Sequence, residues 1–305
     1  MTWYLDSGSA LSALFLGVTL VPLGASVLRG SQDSPRPRRD GPPRAVLFRA
    51  EGFPTVDATT LDPRTLEEAL SGLPVETLST PGALSEELRS GRFDVLILPY
   101  GSAFPVEAWP AIREFVGQGG GLVVLGGAPF TQPVREGPVG GAAFARLTSQ
   151  PTYAHELLIG PADLVRREEL ESPLRAAPVE GSGWSSVPEE PARTWALTFR
   201  LATVPDPAGE HGAAGPRDAV VRPLVHVIDA DGLPRACPAL EVDRLRGEGA
   251  GGRWVLLPTD ARLGATTIRE AVERALSGPA LVEARPVPAA VEPGKTPALR
   301  VTVRR

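Results

Sequence analysis

Few residues in this sequence have the types and spacing that chemistry needs. The sole cysteine, Cys237, lies in the run PRACPAL, and His226 stands shortly before it in PLVHVID. A thiol beside an imidazole is the arrangement for nucleophilic attack, with the histidine taking the thiol proton. A reactive thiol also needs an electropositive, partly exposed setting. Cys237 instead sits between Ala236 and Pro238 in an apolar run, which fits a small buried core cysteine. The second candidate is acidic. Glu51 and Asp57 share the loop EGFPTVDATTLDP, and two carboxylates flanking one sugar are the acid/base pair of glycoside hydrolysis. Tyr100 and Ser102 in PYGS would supply a stacking ring and a hydroxyl, and Gly126-Gly127 a close backbone approach. The plainer account has Glu51 and Asp57 capping loops and Tyr100 packing at the sheet edge.

Metal and phosphate chemistry find little support. One cysteine makes no internal disulfide and excludes zinc sites built on two or four thiolates. His155, His211 and His226 are widely spaced, with no H-E-x-x-H. Asp229-Ala230-Asp231-Gly232 has the look of a calcium loop but lacks the remaining oxygen ligands and the closing Glu. Asp-Gly there reads as a β-turn. The glycine runs 119–121 and 126–127 match neither G-x-G-x-x-G nor a P-loop. Trp184, Trp195 and Trp254 would make a sugar platform if exposed; tryptophan on a strand is more often core. The sequence therefore calls for no cofactor and no metal.

The 305 residues are long enough to bury a substantial core, and 42% hydrophobic with 22% charged residues is ordinary for a globular chain. A formal net charge of −5 with no basic face argues against nucleic acid, whose binding needs clustered Lys and Arg. Residues 10–28, ALSALFLGVTLVPLGASVL, form an apolar run of signal-peptide or membrane-anchor length. The residues before it carry Asp6 and no cation, and Arg29, Arg36, Arg38 and Arg39 follow it, which is the reverse of the usual signal-peptide polarity. The expectation is an exported or membrane-anchored protein, or a cytoplasmic one if this segment is not a signal. Residues 30–43, GSQDSPRPRRDGPP, read as an extended Pro/Arg linker.

The elements that would position the candidates begin at about residue 44. AVLF (45–48), VETL (75–78), FDVLIL (93–98) and LVVL (122–125) are short apolar strands. Between them lie three helical patterns. RTLEEAL follows Asp62-Pro63, a cap and a first-turn proline. The second runs from Thr80 to Arg89. The third, from Pro105 to Val116, sets Trp109, Ile112 and Phe115 on one face. Strand and helix in alternation with short connections predict βαβ units and a parallel sheet covered on both faces. From 132 to 246 the pattern becomes β-rich, with strands at 194–204, 218–229 and 236–245 and a Gly/Pro loop at 205–217. RWVLL (253–257) and ATTIREAVERAL (265–276) return to α/β. The tail has two strand signals around PGKT and ends on VTVRR without an obvious partner.

Three passages carry a family likeness: FDVLILPYGSAFP (93–105), EAWPAIREFVGQGGGLVVLGGAPF (107–130) and GGRWVLLPTD (251–260). Together they resemble the class I glutamine amidotransferase-like superfamily. They are closer to its non-catalytic versions inside exported glycosidase-like proteins, including domains similar to the β-galactosidase trimerisation domain. The tail PGKTPALRVTV resembles the first strands of an immunoglobulin-like sandwich. The resemblance covers 44–130 well, 253–276 less, and the middle weakly, through PLVHVIDADGLPRACPALEVDRL. It implies a three-layer flavodoxin- or Rossmann-like α/β domain over 44–279 with a β-rich insertion at about 132–246, then a β segment at 280–305. In the active family a cysteine occupies the sharp turn after the strand that here is LVVL, and a His-x-Glu pair activates it. Here that turn reads Leu125-Gly126-Gly127-Ala128-Pro129, and no His-x-Glu follows.

The expected function is a non-catalytic structural or interaction module of a larger exported or membrane-anchored, carbohydrate-related protein. Its partners would be other domains of a longer chain or further copies of itself, with carbohydrate as a ligand class. Two alternatives stand beside it: a hydrolase using Glu51 and Asp57, and a membrane-tethered sugar-binding module using the same sheet edge, where Glu51, Asp57, Tyr100, Ser102, Gly126 and Gly127 would collect.

Overall fold

The computed structural model describes residues 41–304 apart from 139–140, 142, 170–173, 190, 200–202, 206–212, 217, 246, 280 and 287–298. The apolar run 10–28, most of the linker, His211 and PGKT lie outside the described residues. No described helix is long and apolar enough to cross a membrane.

The first half alternates as its sequence predicts: β1 (Ala45–Phe48), α1 (Pro63–Leu70), β2 (Val75–Leu78), α2 (Pro81–Arg89), β3 (Val95–Leu98), β4 (Ala103–Pro105), α3 (Trp109–Gly117) and β5 (Gly121–Leu125). Asp62 caps α1 by accepting from Arg64 N, and Thr80 caps α2 by accepting from Ala83 N. The amphipathic stretch from Pro105 opens as a short 3-10 turn at Val106–Ala108 before α3 begins. Trp109, Ile112 and Phe115 are buried together on the sheet-facing side of α3.

The second half contains β6 (Gln132–Glu136), β7 (Phe144–Arg146), α4 (Thr152–Glu156), β8 (Ile159–Arg166), β9 (Arg175–Pro178), β10 (Arg193–Phe199), β11 (Thr203–Pro205), β12 (Ala213–Pro216), β13 (Ala219–Ile228), β14 (Pro234–Arg244), β15 (Arg253–Leu257), α5 (Ala265–Ser277), β16 (Leu281–Pro286) and β17 (Leu299–Arg304). Four of these strands, β9, β13, β14 and β15, join the main sheet. It is a mixed α/β sheet of eight strands in the order β2-β1-β3-β5-β15-β14-β13-β9. From β2 to β15 every neighbour is parallel; β14, β13 and β9 run antiparallel. The expectation of a parallel sheet therefore holds for one side only. The other side is a hairpin extension, because Asp229–Gly232 forms a tight turn, with Gly232 N donating to Asp229 O, that folds β14 back along β13.

Two further sequence expectations change. The Gly/Pro segment from 205 is shorter as a loop, since β11 pairs with β12. The final strand does have a partner: β17 pairs antiparallel with β16 from Leu281↔Arg304 to Pro286↔Leu299.

Alternating residues of the central strands feed two cores. On one face Val46, Phe48, Leu96, Leu98, Leu122, Val124, Trp254 and Leu256 pack with α2 and α3. On the other face Ala45, Leu47, Val95, Ile97, Val123, Leu125, Val255 and Leu257 pack with α1 and α5. Strands buried on both faces read as continuous apolar runs, which is why AVLF, VLIL and LVVL were legible.

The antiparallel half carries a buried charge cluster that straps α5 to the sheet. Glu241, 1% exposed, accepts from Arg222 Nη1 at 2.8 Å and Arg274 Nε at 2.5 Å. Asp243 accepts from Arg222 Nη1 at 2.5 Å and from Arg253 Nε and Nη2 at 2.6 and 3.0 Å. Arg274 also donates to Ser182 O at 2.7 Å, so three elements converge on one point.

Candidate functional site

In an open α/β sheet the ligand crevice lies beyond the C-terminal strand ends, where the strand order reverses. In this sheet that point falls between β1 and β3, with β5 and β15 alongside. The structure brings Asp57, Tyr100, Ser102, Gly126 and Gly127 to this edge, and it fills the space with the chain itself.

The filling is the loop after β1. Val56 forms a parallel bridge with Gly101, with Val56 N donating to Tyr100 O at 3.1 Å and Ser102 N to Val56 O at 2.9 Å. Ser102, fully buried, donates its hydroxyl to Asp57 Oδ2 at 2.8 Å and accepts from Ala128 N at 2.8 Å. Asp57 reaches this position with φ +56°, a left-handed conformation that a non-glycine residue adopts at a cost. Thr59 Oγ1 donates to Asp260 O at 2.7 Å, closing the loop onto the end of β15. The start of β10 closes the far side: Trp195 N donates to Pro258 O at 2.7 Å, and Asp260 receives Arg193 N and Nε, each at 2.8 Å.

Two glycines of the edge, Gly101 and Gly126, make room for this loop, and a third, Gly127, makes room for Ser102. A Cβ at Gly101 would collide with Val56 O, one at Gly126 with Ala58 Cβ, and one at Gly127 with the Ser102 backbone and hydroxyl. All three have positive φ, at +66°, +99° and +59°. The turn after β5 is sharply bent, and its backbone donors are spent. Gly126 N donates to Leu257 O at 3.0 Å, Gly127 N to Thr259 O at 3.2 Å, and Ala128 N to Ser102 Oγ. An oxyanion hole requires N–H groups aimed at the reacting oxygen. From Gly126 to Ala128 each one is committed inside the protein.

The remaining candidates resolve separately. Tyr100 does not present its ring to a ligand. It packs against Phe53 with centroids 4.6 Å apart, and its hydroxyl both accepts from Ala50 N at 2.8 Å and donates to Ala50 O at 3.0 Å. Burial pushes its phenol pKa up. Glu51 is exposed in the turn after Ala50, and no hydrogen bond or ion pair ties it to Asp57. Asp57 is already the acceptor of the Ser102 hydroxyl. Trp184, Trp195 and Trp254 are all buried, and Trp184 and Trp254 belong to opposite cores, so they form no common platform. Asp229 spends its carboxylate on its own hairpin, accepting from Leu233 N, Asp231 N and Arg235 Nε. Among the described residues no cluster of His, Cys, Asp and Glu could hold a metal.

Cys237 and His226 do lie near each other along the β13–β14 hairpin, in the irregular stretch between the pairs Val225↔Ala239 and Val227↔Ala236. The thiol nevertheless donates to Ala239 O at 3.1 Å, and burial pushes its pKa up to about 11. At pH 8 a thiol of that pKa holds roughly two orders of magnitude less thiolate than a free cysteine. Iodoacetamide at pH 8 is expected to label native Cys237 about 100-fold more slowly than the urea-unfolded chain; comparable rates would mean the thiol is accessible and activated.

Ser102 is the residue whose role the sequence understated. Ser102→Ala removes the donor to Asp57 and leaves the buried Ala128 N–H without its acceptor. The expected cost is about 1–3 kcal/mol, read as a lower urea midpoint.

No family model matches the sequence, and no curated protein matches it. Solved structures do resemble the fold. A β-galactosidase from Bacillus circulans sp. alkalophilus is 12% identical with a TM-score of 0.45, over 80% of this chain and 34% of that one. A GH42 β-galactosidase from G. stearothermophilus is 14% identical with a TM-score of 0.44, over 81% and 33%. A ThuA-like protein from Bacteroides uniformis is 10% identical with a TM-score of 0.38, over 80% and 95%. The chain spans about a third of the length of the β-galactosidases it matches. Likenesses this remote leave the function to be argued from the residues.

Proposed function

We infer that this chain is a non-catalytic structural or interaction module with an amidotransferase-like, flavodoxin-type core, belonging to a larger exported or membrane-anchored, carbohydrate-related protein. The observation that carries the non-catalytic part is the closed strand edge. Val56, Asp57 and Ala58 occupy the crevice where a substrate would sit, and the N–H groups of the turn after β5 donate to Leu257, Thr259 and Ser102. No nucleophile stands on the turn Gly126-Gly127, and the sole thiol, on a half-buried residue, has its pKa pushed up to about 11 by burial.

The flavodoxin-type arrangement draws support from the parallel strands alone. Taken in chain order they read 2-1-3-4-5 across the sheet, the order of doubly wound flavodoxin-like folds. The larger protein, its export and its carbohydrate setting rest on the resemblance of 93–105, 107–130 and 251–260, on the apolar run 10–28, and on the two-stranded tail of β16 and β17. Among the described residues β16 and β17 pair only with each other, and a two-stranded ribbon is marginal in water.

Purified protein assayed for glutaminase, esterase and glycosidase turnover is expected to show none that depends on its own residues. Turnover abolished by Glu51→Gln or Cys237→Ala would overturn the non-catalytic reading in favour of a hydrolase with an unusual site.

A further inference from the structure

At the end of the sheet opposite the closed edge, β14 turns into β15 through residues 247–252, GEGAGG. This loop carries no large apolar side chain, and Gly247, Gly249 and Gly251 take φ of +66°, +83° and +93°. Among the described residues, one backbone bond ties it to anything beyond the β14–β15 connection: Gly249 N donates to Gly117 O at 2.7 Å. Its other backbone bonds, such as Gly252 N to Gly249 O and Gly251 N to Arg244 O, stay within the connection and its base.

The loop lies directly on a buried cation. Arg244 is 2% exposed. Its Nη2 donates to Glu248 O at 3.0 Å, and a Cβ at Gly249 would stand 3.6 Å from its Nε. The guanidinium is 5.4 Å from the centre of the Trp254 ring. Its Nε and Nη1 have no hydrogen-bond partner, and neither does Trp254 Nε1. Asp218 Oδ2 stays 3.7 Å from Nη2, too far for a hydrogen bond. Burial pushes the Arg244 pKa down, because the closed loop denies the charge its water.

The balance between closed and open forms is therefore a fine one. Closing makes two hydrogen bonds, Gly249 N to Gly117 O and Arg244 Nη2 to Glu248 O, and buries little apolar surface. It leaves three donors dry, on Arg244 and Trp254. A hydrogen bond contributes less to stability than a buried donor loses when it goes unpaired. Glycine adds chain entropy to the open side. We propose that residues 247–252 form a flap that opens over Arg244 and Trp254 while the sheet stays folded, with the buried guanidinium biasing it toward opening. The open form presents a cation and an indole N–H that the closed form hides, so the flap is a two-state element. It is independent of the closed strand edge.

The test is hydrogen exchange of the full chain, followed by NMR and expressed as protection factors, with the Trp254 indole N–H assigned by Trp254→Phe. The Gly249 amide and the Trp254 indole should share one protection factor, about 100-fold or more below those of Val255 and Leu256 in the middle of β15. Arg244→Met replaces the cation with an unbranched apolar chain and should raise Gly249 protection about fivefold or more. Gly251→Ala adds a Cβ that meets nothing within 4 Å, at a φ of +93° that alanine resists. It should lower Gly249 protection about tenfold and leave β1 and β3 unchanged. The wild-type comparison and Gly251→Ala decide the matter even where Arg244→Met does not fold. Gly249 and the Trp254 indole exchanging only as slowly as Val255 and Leu256 would show that there is no flap. Gly249 protection that is unchanged or lower in a folded Arg244→Met would overturn the role given to the guanidinium.

Discussion

Asp243→Ala should lower the stability of the protein by about 3–5 kcal/mol, among the largest losses available to a single substitution. Asp243 is 2% exposed and holds Arg222 and Arg253, while its neighbour Glu241 holds Arg222 and Arg274. Removing one carboxylate leaves Arg253, itself largely buried, with Glu241 at 3.3 Å as its remaining carboxylate, beside neutral acceptors at Ser277 Oγ and Arg274 O. The penalty is the unpaired charge that remains, more than the net worth of the pair that is lost. The same site sets an acid limit. Burial alone would raise the Asp243 pKa, but hydrogen bonds from Arg253 and Arg222 outweigh it and hold the carboxyl below its ordinary value. A lowered folded-state pKa adds stability above the unfolded value of about 3.9, and that stability is lost as pH falls through the folded value. Urea midpoints should therefore fall for the wild type below pH 4 and show a smaller acid dependence in Asp243→Ala. Equal acid slopes in the two proteins would remove Asp243 from the account.

Gly127→Cys is the second large effect. It puts on the turn the residue type that an active amidotransferase-like enzyme carries there, yet it is expected to destabilise by about 4 kcal/mol and to confer no turnover. A non-glycine residue at φ +59° costs about 1–3 kcal/mol, and forcing a side chain against packed atoms about 1–3 more. Its Cβ would stand 2.6 Å from Ser102 Oγ, the hydroxyl that ties Asp57 to Ala128. A stable Gly127→Cys protein with a thiol reactive at neutral pH would show that the loop at Val56–Ala58 yields readily and that the edge is a dormant active site.

The parts of this molecule that the sequence made legible are those governed by local rules. AVLF, VLIL and LVVL are buried on both faces and so read as unbroken apolar runs; Asp62 and Thr80 sit where helix caps must. The hidden parts depend on partners distant along the chain. EVDR in β14 shows two acids at strand spacing, but nothing local reveals that Arg222, Arg253 and Arg274 converge on them. The runs of β13 and β14 read as strands flanking the turn DADGLPR, with nothing to say which sheet they would extend. The strand-edge glycines were the most informative signal and the most ambiguous. Glycine at a strand end marks the close approach of a ligand or of another backbone. The sequence suggested the ligand; the structure places Val56, Asp57 and Ala58 there. The parallel strands and the turn after β5 were therefore readable, and Asp57, Tyr100, Ser102, Gly126 and Gly127 lie at one strand edge, while the segment that closes over them was not legible.

Amide hydrogen exchange at Gly126, Gly127 and Ala128 tests this closure most directly. If the loop at Val56–Ala58 seals the edge, these three amides should be as protected as those of β3 and β5, exchanging only when the sheet itself opens. Exchange at the rate of exposed loop amides, with β3 and β5 still protected, would mean that the edge stands open in solution and would contradict the account.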